Sequence, residues 1–234
     1  MNELKPVNIL GVNVYPYTKE QLIQYAVRRK KVLFSINAEI LLYDDFIFKE
    51  ILNRGVGYAD GIGAVWALKK KGLKNVIKQP GCELWLDIVR KYEKYFTFYF
   101  IGATPSIMDY TIEKLKRDFP DISIKGYRDG YINDENEKQL LIANIKKQKP
   151  DVIFVAMGVP KQEFLIDELY GNYQAVYMGL GGSFDVYTGN VERAPKWWVD
   201  HNLEFLYRLI KQPKRIKRQI HLVSFFLKLL FNRL

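Results

Sequence analysis

The sequence has little of several residue types, and each shortage excludes a class of protein or site. Cys82 is the only cysteine, so a disulfide scaffold is excluded, and a lone thiol favours a reducing compartment. With only two histidines, His201 and His221, the chain cannot build a zinc site rich in histidine and cysteine. No apolar run reaches the roughly 20 residues of a membrane span. The N-terminal residues contain no long apolar run, so we do not expect a signal peptide.

Acidic residues are absent from the last part of the chain. Of the 36 Lys and Arg, eight lie in residues 205–234, where there is no Asp or Glu. The other 28 share residues 1–204 with all 26 acidic side chains. We therefore predict a nearly neutral catalytic domain over residues 1–204 and a basic appendage over residues 205–234. Such a basic segment favours phosphate as its partner, on nucleic acid, lipid headgroups or a diphosphate substrate.

Short apolar runs alternate with helical patterns, which indicates an α/β fold with a mainly parallel sheet. We predict buried strands at residues 32–36, 97–101, 152–156 and 175–178. Helix starts are expected at Thr18, which begins a capping box with Gln21, at Thr104 before Pro105, and at Asn133 or Asp134. At 234 residues and 48% hydrophobic content, the chain is long enough for a sizeable core.

Polar or glycine-rich segments follow these four apolar runs and a short apolar patch before Asp60. Ligands of parallel α/β sheets bind beyond the carboxyl ends of the strands, so these segments are expected to converge on one edge. They are Asn37-Ala38-Glu39, Asp60-Gly61-Ile62-Gly63, Gly102-Ala103-Thr104-Pro105, residues 157–163 and residues 179–185. Any one of them alone is typical of an ordinary loop. Their joint occurrence is what favours a binding site.

Asp60 is the strongest candidate for acid–base chemistry. It stands next to Gly61 and close to Gly63, so it could be a turn residue or the N-cap of the following helix. The functional interpretation is a general base, which must lie within hydrogen-bond reach of the hydroxyl that it activates. The nearby glycines would let a sugar approach the backbone closely.

The glycine-rich loop at residues 179–185 does not fit a dinucleotide enzyme. It lacks the G-x-G-x-x-G spacing, and no acidic residue after a following strand could bind the ribose. Its backbone N–H groups could still bind phosphate. The chain also has no D-x-D pair, the arrangement that holds a divalent metal in many nucleotide-sugar enzymes. Arg or Lys would then have to neutralise a leaving diphosphate.

The motifs, taken in order, resemble those of one family of glycosyltransferases. They lie at residues 59–63, 155–163, 181–185 with Gly189, 193–195, and 204–209 with Pro213 and Arg215. This series is similar to that of the WecG/TagA/CpsF family over about residues 8–218. The blocks Pro160-Lys161-Gln162-Glu163 and Arg193-Ala194-Pro195 are together the most specific part of the resemblance.

The resemblance implies an inverting, metal-independent transferase with a Rossmann-like core and no cofactor. Family members pass N-acetylmannosamine, its uronate or another hexose from UDP to an undecaprenyl-diphosphate-linked sugar, which here implies the cytoplasmic face of the cell membrane. Asp60 would be the base, Asn37 and Gln162 would hold sugar or acceptor, and Arg208 and Arg215 would bind diphosphate. Further substrate-binding residues are expected at Gly61, Gly63, Lys78, Gly102, Thr104, Gly158, Lys161, Glu163, Gly181, Gly182, Asp185, Arg193 and Arg218.

One stretch departs from the family pattern. Where the family usually shows Arg-Val-x-Gly-x-Asp-Leu, this chain has Lys78-Gln79-Pro80-Gly81-Cys82-Glu83-Leu84. Lysine lacks the bidentate fork of arginine, and glutamate is longer than aspartate. This departure leaves the identity of donor and acceptor open.

A helix over residues 214–234 would be amphipathic, with lysines and arginines on one stripe and Ile, Val and Leu on the other. Such a helix is suited to an anionic membrane interface. The alternative is a helix packed on the domain's own core, and in a homo-oligomer one face could serve both purposes. A nucleic-acid-binding module is a second alternative. The basic stretch carries no recognised nucleic-acid motif, and the neutral body gives no broad basic footprint, so nucleic acid is not the expected partner. A catalytically inactive scaffold would be excluded only by an activity assay.

Overall fold

Eight strands form one sheet at the centre of the structure. The computed structural model describes residues 4–201, 203–211 and 225–231. The strands are Val7–Ile9 (β1), Val12–Val14 (β2), Val32–Ile36 (β3), Val56–Ala59 (β4), Thr97–Gly102 (β5), Ser123–Arg128 (β6), Val152–Ala156 (β7) and Val176–Gly179 (β8). Their order across the sheet is β1-β2-β4-β3-β8-β7-β5-β6. Only β1 and β2 pair antiparallel, so the predicted mainly parallel α/β sheet is confirmed.

Helices connect the strands and cover the sheet. They are Lys19–Arg29 (α1), Ala38–Leu41 (α2), Phe46–Arg54 (α3), Ile62–Lys70 (α4), Gly81–Tyr92 (α5), Pro105–Asp118 (α6), Glu135–Gln148 (α7), Lys161–Asn172 (α8), Ser183–Tyr187 (α9), Lys196–Asp200 (α10) and Glu204–Lys211 (α11). Residues 225–230 are also helical. Consecutive residues of the central strands point to opposite faces, so that Ile153 of β7 packs in one core and Phe154 in the other. The strands are therefore buried on both faces.

The helix starts lie where the sequence predicts them. Thr18 and Gln21 form both hydrogen bonds of the capping box at α1. Thr104 caps α6, with Pro105 in its first turn. Of the two candidates for α7, Asp134 is the N-cap, since its carboxylate accepts a hydrogen bond from the N–H of Glu137 at 2.8 Å. These local signals hold because a side-chain acceptor satisfies a helix N–H wherever the helix packs.

Four strands were not among those predicted. β4 corresponds to the short apolar patch before Asp60, and the other three lie at the edges of the sheet or next to them. β1 and β2 have only three residues each, too few for a clear apolar period. β6 is the opposite edge strand, and its residues alternate between exposed and half-buried positions. β6 therefore contributes little apolar area to the core, whereas Ile9, Val12 and Val14 of β1 and β2 are completely buried and only the shortness of these strands weakens their signal.

The C-terminal residues that the structure describes pack on the domain's own core. Phe225 is completely buried, and a Cβ on Gly63 would lie 3.1 Å from its ring. The Phe226 ring lies 5.0 Å from that of Trp66 in α4. Leu227, Leu230 and Phe231 remain exposed. Residues 225–231 thus pack on the core, as in the alternative to membrane binding, but they also leave apolar side chains at the surface. The rest of the expected amphipathic helix lies outside the described residues.

Within the described part of the chain, no helix is both long enough and apolar enough to cross a bilayer.

Candidate active site

A cavity of about 560 Å³ opens at the carboxyl ends of β3, β4 and β8. β3 lies between β4, which follows it in the chain, and β8, which the chain reaches after building the other half of the sheet. Loops leaving the sheet at such a switch point diverge and form a crevice for ligands. The loop before α5 and the segment from Val191 to α11 complete the outer wall.

Asp60 lies directly after β4 and lines this cavity. Its Oδ2 accepts a hydrogen bond from Ser35 Oγ at 3.0 Å, and its Oδ1 accepts one from the backbone N–H of Gly81 at 2.8 Å. The N-cap of α4 is Gly61, without a side-chain cap, so Asp60 is not the cap of the following helix. The carboxylate instead binds the first N–H of α5. Two donors from different elements thus hold it at the cavity wall, as a general base requires.

Asn37 lies at the end of β3, beside Asp60. Its Oδ1 caps α2 by accepting the N–H of Ile40 at 3.1 Å, and its side chain lines the cavity. Within the described residues its Nδ2 has no hydrogen-bond partner, so two donor hydrogens remain for a ligand. Gly61 and Gly63 also line the cavity. A Cβ on Gly61 would lie 3.1 Å from Asn37 Cβ, a tight contact, so the absence of a side chain lets this turn lie close to Asn37.

Gln162 connects the loop after β8 to a buried carboxyl group. Its Oε1 accepts the N–H of Gly181 at 2.9 Å, and its Nε2 donates to Glu163 Oε1 at 2.7 Å. Gln162 is 4% exposed and lines the cavity. A Cβ on Gly179 would lie 2.8 Å from Gln162 Nε2, so the amide can occupy this position only beside a glycine. The predicted ligand residue therefore also fixes the glycine-rich loop.

Glu163 does not line the cavity, although it was expected to bind substrate. It is only 2% exposed, and its Oε2 has no hydrogen-bond partner among the described residues. Burial raises the pKa of this carboxyl from 4.5 to about 7, against the smaller opposing effect of its hydrogen bond to Gln162. Glu163 therefore acts on the site through Gln162.

Two ion pairs cross the outer wall of the cavity. Lys78 Nζ lies 2.6 Å from Glu204 Oε2, which joins the loop before α5 to the start of α11. Arg193 pairs with Glu83 in the first turn of α5. Both cations line the cavity, as expected of substrate-binding residues, and both already have a carboxylate partner. The acidic partners were not foreseen, since neither spacing nor local pattern relates Lys78 to Glu204.

The loop after β8 brings three further predicted residues to the cavity: Gly181, Gly182 and Asp185. Gly181 has φ +56°, a backbone conformation that glycine adopts without strain. Gly182 is the N-cap of α9, and Asp185 accepts a hydrogen bond from Asn190 Nδ2 at 3.0 Å. The sequence predicts that backbone N–H groups of this turn bind phosphate.

Four other predicted ligands lie away from the cavity lining. Gly102 has φ +126°, and a Cβ there would lie 2.2 Å from the carbonyl oxygen of Ala156. Thr104 caps α6, and Gly158 accepts the N–H of Gln162 at 3.0 Å. Lys161 is exposed at the start of α8. The first three have evident structural roles. The end of β5, where Gly102 and Thr104 lie, does not contribute to this cavity.

The predicted diphosphate ligands of the C-terminal part are only partly described. Arg208 belongs to α11, whose residues Glu204, Tyr207 and Lys211 line the cavity. Arg215 and Arg218 lie outside the described residues. Ser35 was not predicted as a site residue. It lies within the apolar strand β3, and its hydroxyl donates a hydrogen bond to Asp60. A polar residue within an otherwise apolar buried strand was the signal that could have found it.

No three His, Cys, Asp or Glu side chains converge as a metal site in the part of the chain that the structure describes. Cys82 is half-buried and lines the cavity. The polar groups of the cavity thus include the Asp60 carboxylate held by two donors, the Asn37 amide with unused hydrogens, a glycine-rich turn, and cations that are paired with other carboxylates. This set can bind a phosphorylated sugar and remove a proton from a hydroxyl.

Comparison with known families agrees with this chemistry. The model of the Glycosyl transferase WecG/TagA/CpsF family matches residues 7–234, nearly the whole chain. The match includes every element that contributes to the cavity. It also extends beyond the stretch of about residues 8–218 over which the motifs show the resemblance.

Proposed function

The chain belongs to the WecG/TagA/CpsF family of glycosyltransferases, and on that premise we propose the reaction that it catalyses. A hexose, N-acetylmannosamine, its uronate or a related sugar, passes from a UDP-sugar to a saccharide linked to undecaprenyl diphosphate, with inversion at the anomeric carbon. This step belongs to the synthesis of a cell-wall or surface polysaccharide. Because the family is one of enzymes, membership disfavours the nucleic-acid-binding alternative.

The observation that carries the proposal is the position of Asp60. Its carboxylate accepts the proton of the acceptor hydroxyl as the hydroxyl oxygen forms its bond to the anomeric carbon. The bond from that carbon to the diphosphate breaks at the same time, and UDP leaves with the bonding electrons. Because Ser35 and Gly81 already hold the carboxylate, Asp60 loses little conformational entropy when the transition state forms. Asn37 Nδ2 is placed to donate to a sugar oxygen beside it.

Three cationic side chains of the cavity wall would bind the leaving diphosphate in competition with the carboxylates that they pair with. Lys78, Arg193 and Lys211 line the outer wall of the cavity, on the loop before α5 and on the segment up to α11. Charge-assisted hydrogen bonds from such groups stabilise negative charge that develops on a leaving oxygen. We propose that Arg208, Arg215 and Arg218 add to this set and that no divalent metal is needed.

The proposed acceptor stays in the membrane, so the enzyme must work at its surface, on the cytoplasmic face. Leu227, Leu230 and Phe231 are exposed on the C-terminal segment, in a region with eight Lys and Arg and no acidic residue. Apolar side chains together with basic residues favour peripheral attachment to anionic lipid. Because Phe225 is buried in the core, this attachment is better tested by point substitutions than by truncation.

A direct test incubates the protein with a panel of UDP-sugars and a polyprenyl-diphosphate-linked saccharide, and identifies the lipid product by mass. We expect one hexose to be added from one or few donors, and NMR of the product to show the anomeric configuration opposite to that of the donor. Asp60→Asn serves as the matched control. A product of retained configuration, or the same yield with Asp60→Asn, would contradict the proposal.

A further inference from the structure

A second basic region lies within the catalytic core, far from the C-terminal residues in sequence. Residues 61–82 contain five lysines and no Asp or Glu. They form α4, the loop that returns from it to the cavity, and the first two residues of α5. Lys69, Lys70, Lys71 and Lys74 are all exposed, and Ile77 in the same loop is 76% exposed. This segment thus forms a basic surface that includes an exposed isoleucine.

Most of these lysines are not neutralised by neighbouring carboxylates. Lys78 pairs with Glu204 at the cavity, whereas Lys69, Lys70 and Lys74 form no ion pair with any described residue. Elsewhere on the surface, Lys114 and Lys138 each pair with acidic side chains. Lys69, Lys70 and Lys74 therefore present positive charge to the solvent.

The C-terminal segment lies against the same helix. Phe225 packs at Gly63 and Phe226 at Trp66, both in α4, while Leu229 packs on the core beside them. On the outside of this segment Leu230 is 70% and Phe231 69% exposed. Exposed apolar side chains are thus carried on an element that packs directly on the helix that carries the lysines.

We propose that the end of α4, its loop to Ile77 and residues 227–231 form one surface that docks on an anionic lipid bilayer. The lysines contact lipid phosphates, and Ile77, Leu230 and Phe231 enter the interfacial region. Exposed apolar side chains among the lysines favour a bilayer over nucleic acid, whose binding depends mainly on phosphate charge. The proposal extends the membrane attachment in the proposed function from the C-terminal segment to the catalytic core.

This surface would bring the cavity close to the membrane. α4 begins at Ile62, which lines the cavity, and ends at Lys70. A helix of nine residues is only about 13 Å long at 1.5 Å per residue. Docking through its last turn therefore holds the cavity within about that distance of the headgroups, where the diphosphate of a lipid-linked substrate lies.

The test compares two triple variants of the full chain that remove the same charge at opposite edges of the sheet. Lys69/Lys70/Lys74→Gln removes the proposed contacts. The control, Lys116/Lys125/Lys147→Gln, changes exposed lysines on α6, β6 and α7. Lys69 and Lys70, like Lys116 and Lys147, lie in the last turn of a helix, so both variants also remove similar helix-dipole interactions.

Binding is measured by co-sedimentation with vesicles of phosphatidylcholine and phosphatidylglycerol in equal parts, and with phosphatidylcholine alone. Each basic residue contributes about 1 kcal/mol near an anionic surface, so the first triple should weaken binding roughly 100-fold. The control triple should weaken it less than about threefold at physiological salt, where such distant charges are screened. Equal losses in the two variants, or no loss in the first, would overturn the proposal.

Two further measurements distinguish lipid docking from nucleic-acid binding and from a loss of catalysis. Leu230→Ser/Phe231→Ser should weaken vesicle binding but leave any binding to a DNA oligonucleotide unchanged. If the first lysine triple loses DNA binding and keeps vesicle binding, the surface serves nucleic acid and the proposal fails. Transfer to a water-soluble acceptor analogue should be the same in the first triple and the wild type. Vesicle binding without transfer by the wild type would contradict the proposed function alone.

Discussion

The amide of Gln162 donates a hydrogen bond to the carboxyl of Glu163 at 2.7 Å, and both side chains are almost completely buried. The same amide accepts the N–H of Gly181 at 2.9 Å. By accepting from Nε2, Glu163 orients the Gln162 amide so that Oε1 faces the glycine-rich loop. A residue that touches neither the cavity nor the expected substrate thus fixes the geometry of one that does.

Replacing Glu163 should reveal this dependence. Glu163→Gln retains an acceptor for the Gln162 amide and should keep at least about half of the wild-type kcat. Glu163→Ala removes the acceptor and should lower kcat by about tenfold or more, the effect of a misplaced site group. If Glu163 acts through Gln162, the double variant with Gln162→Ala should be no slower than Gln162→Ala alone. Multiplied losses in the double variant would show independent roles.

The raised pKa of Glu163 also predicts how stability depends on pH. The folded state holds its proton up to about pH 7, whereas the unfolded chain releases it near 4.5. The stabilisation that Glu163 contributes is therefore complete below pH 4.5 and is lost as the pH rises through 7, by about 3 kcal/mol. Glu163→Gln cannot ionise. Urea unfolding should show the variant gaining stability relative to wild type between pH 5 and about 7.5, and a constant difference would contradict a buried titrating carboxyl.

The ion pair between Lys78 and Glu204 predicts opposite effects for its two partners. Lys78→Gln should raise the KM for the UDP-sugar, since a cation of the cavity is lost. Glu204→Gln should lower it by roughly threefold to tenfold, corresponding to about 0.7–1.4 kcal/mol, because the carboxylate competes with the diphosphate for Lys78 and also attracts Arg193. Steady-state kinetics and melting temperatures for both variants provide the check. A rise in KM in both variants would mean that the ion pair only stabilises the outer wall of the cavity and that Glu204 does not compete with the substrate.

Excess chelator should leave the transfer rate unchanged. The chain has no D-x-D pair, and the cations of the cavity wall can neutralise the leaving diphosphate instead. The measurement is the initial rate with and without EDTA, followed by addition of Mg²⁺ or Mn²⁺. A rate that disappears with EDTA and returns with either ion would contradict the proposal of a metal-independent transferase.

Strands and helices that carry a strong local signal could be predicted from the sequence. Buried parallel strands such as Val152–Ala156 have continuous apolar runs, and caps such as Thr18 act within one turn. The edge strand Ser123–Arg128 could not be predicted, because its side chains contribute little to the core. Parallel topology also explains why Asp60, Asn37 and Gln162 could be placed at one edge, since strand ends meet there whatever the loops do.

The partners of the site residues could not be predicted in the same way. The pairs of Lys78 with Glu204 and of Asp60 with the Gly81 N–H depend on tertiary contacts between distant segments. Gly102 and Thr104 look like ligand residues in sequence because glycine and a helix cap also occur at phosphate sites. In the structure, close packing against Ala156 and the start of α6 account for them.

The central claim is that Asp60 removes the proton of the acceptor hydroxyl. The most direct measurement compares single-turnover transfer by wild type and Asp60→Asn, together with UDP-sugar binding by calorimetry. Asparagine has nearly the same shape: its oxygen can accept the hydrogen bond of the Gly81 N–H, and its NH2 group can donate to the Ser35 hydroxyl, but it cannot take up a proton. We predict transfer slower by about 10²–10⁴-fold, the usual size of general-base catalysis, with donor affinity within about threefold of wild type. Near-wild-type transfer by Asp60→Asn would contradict the account.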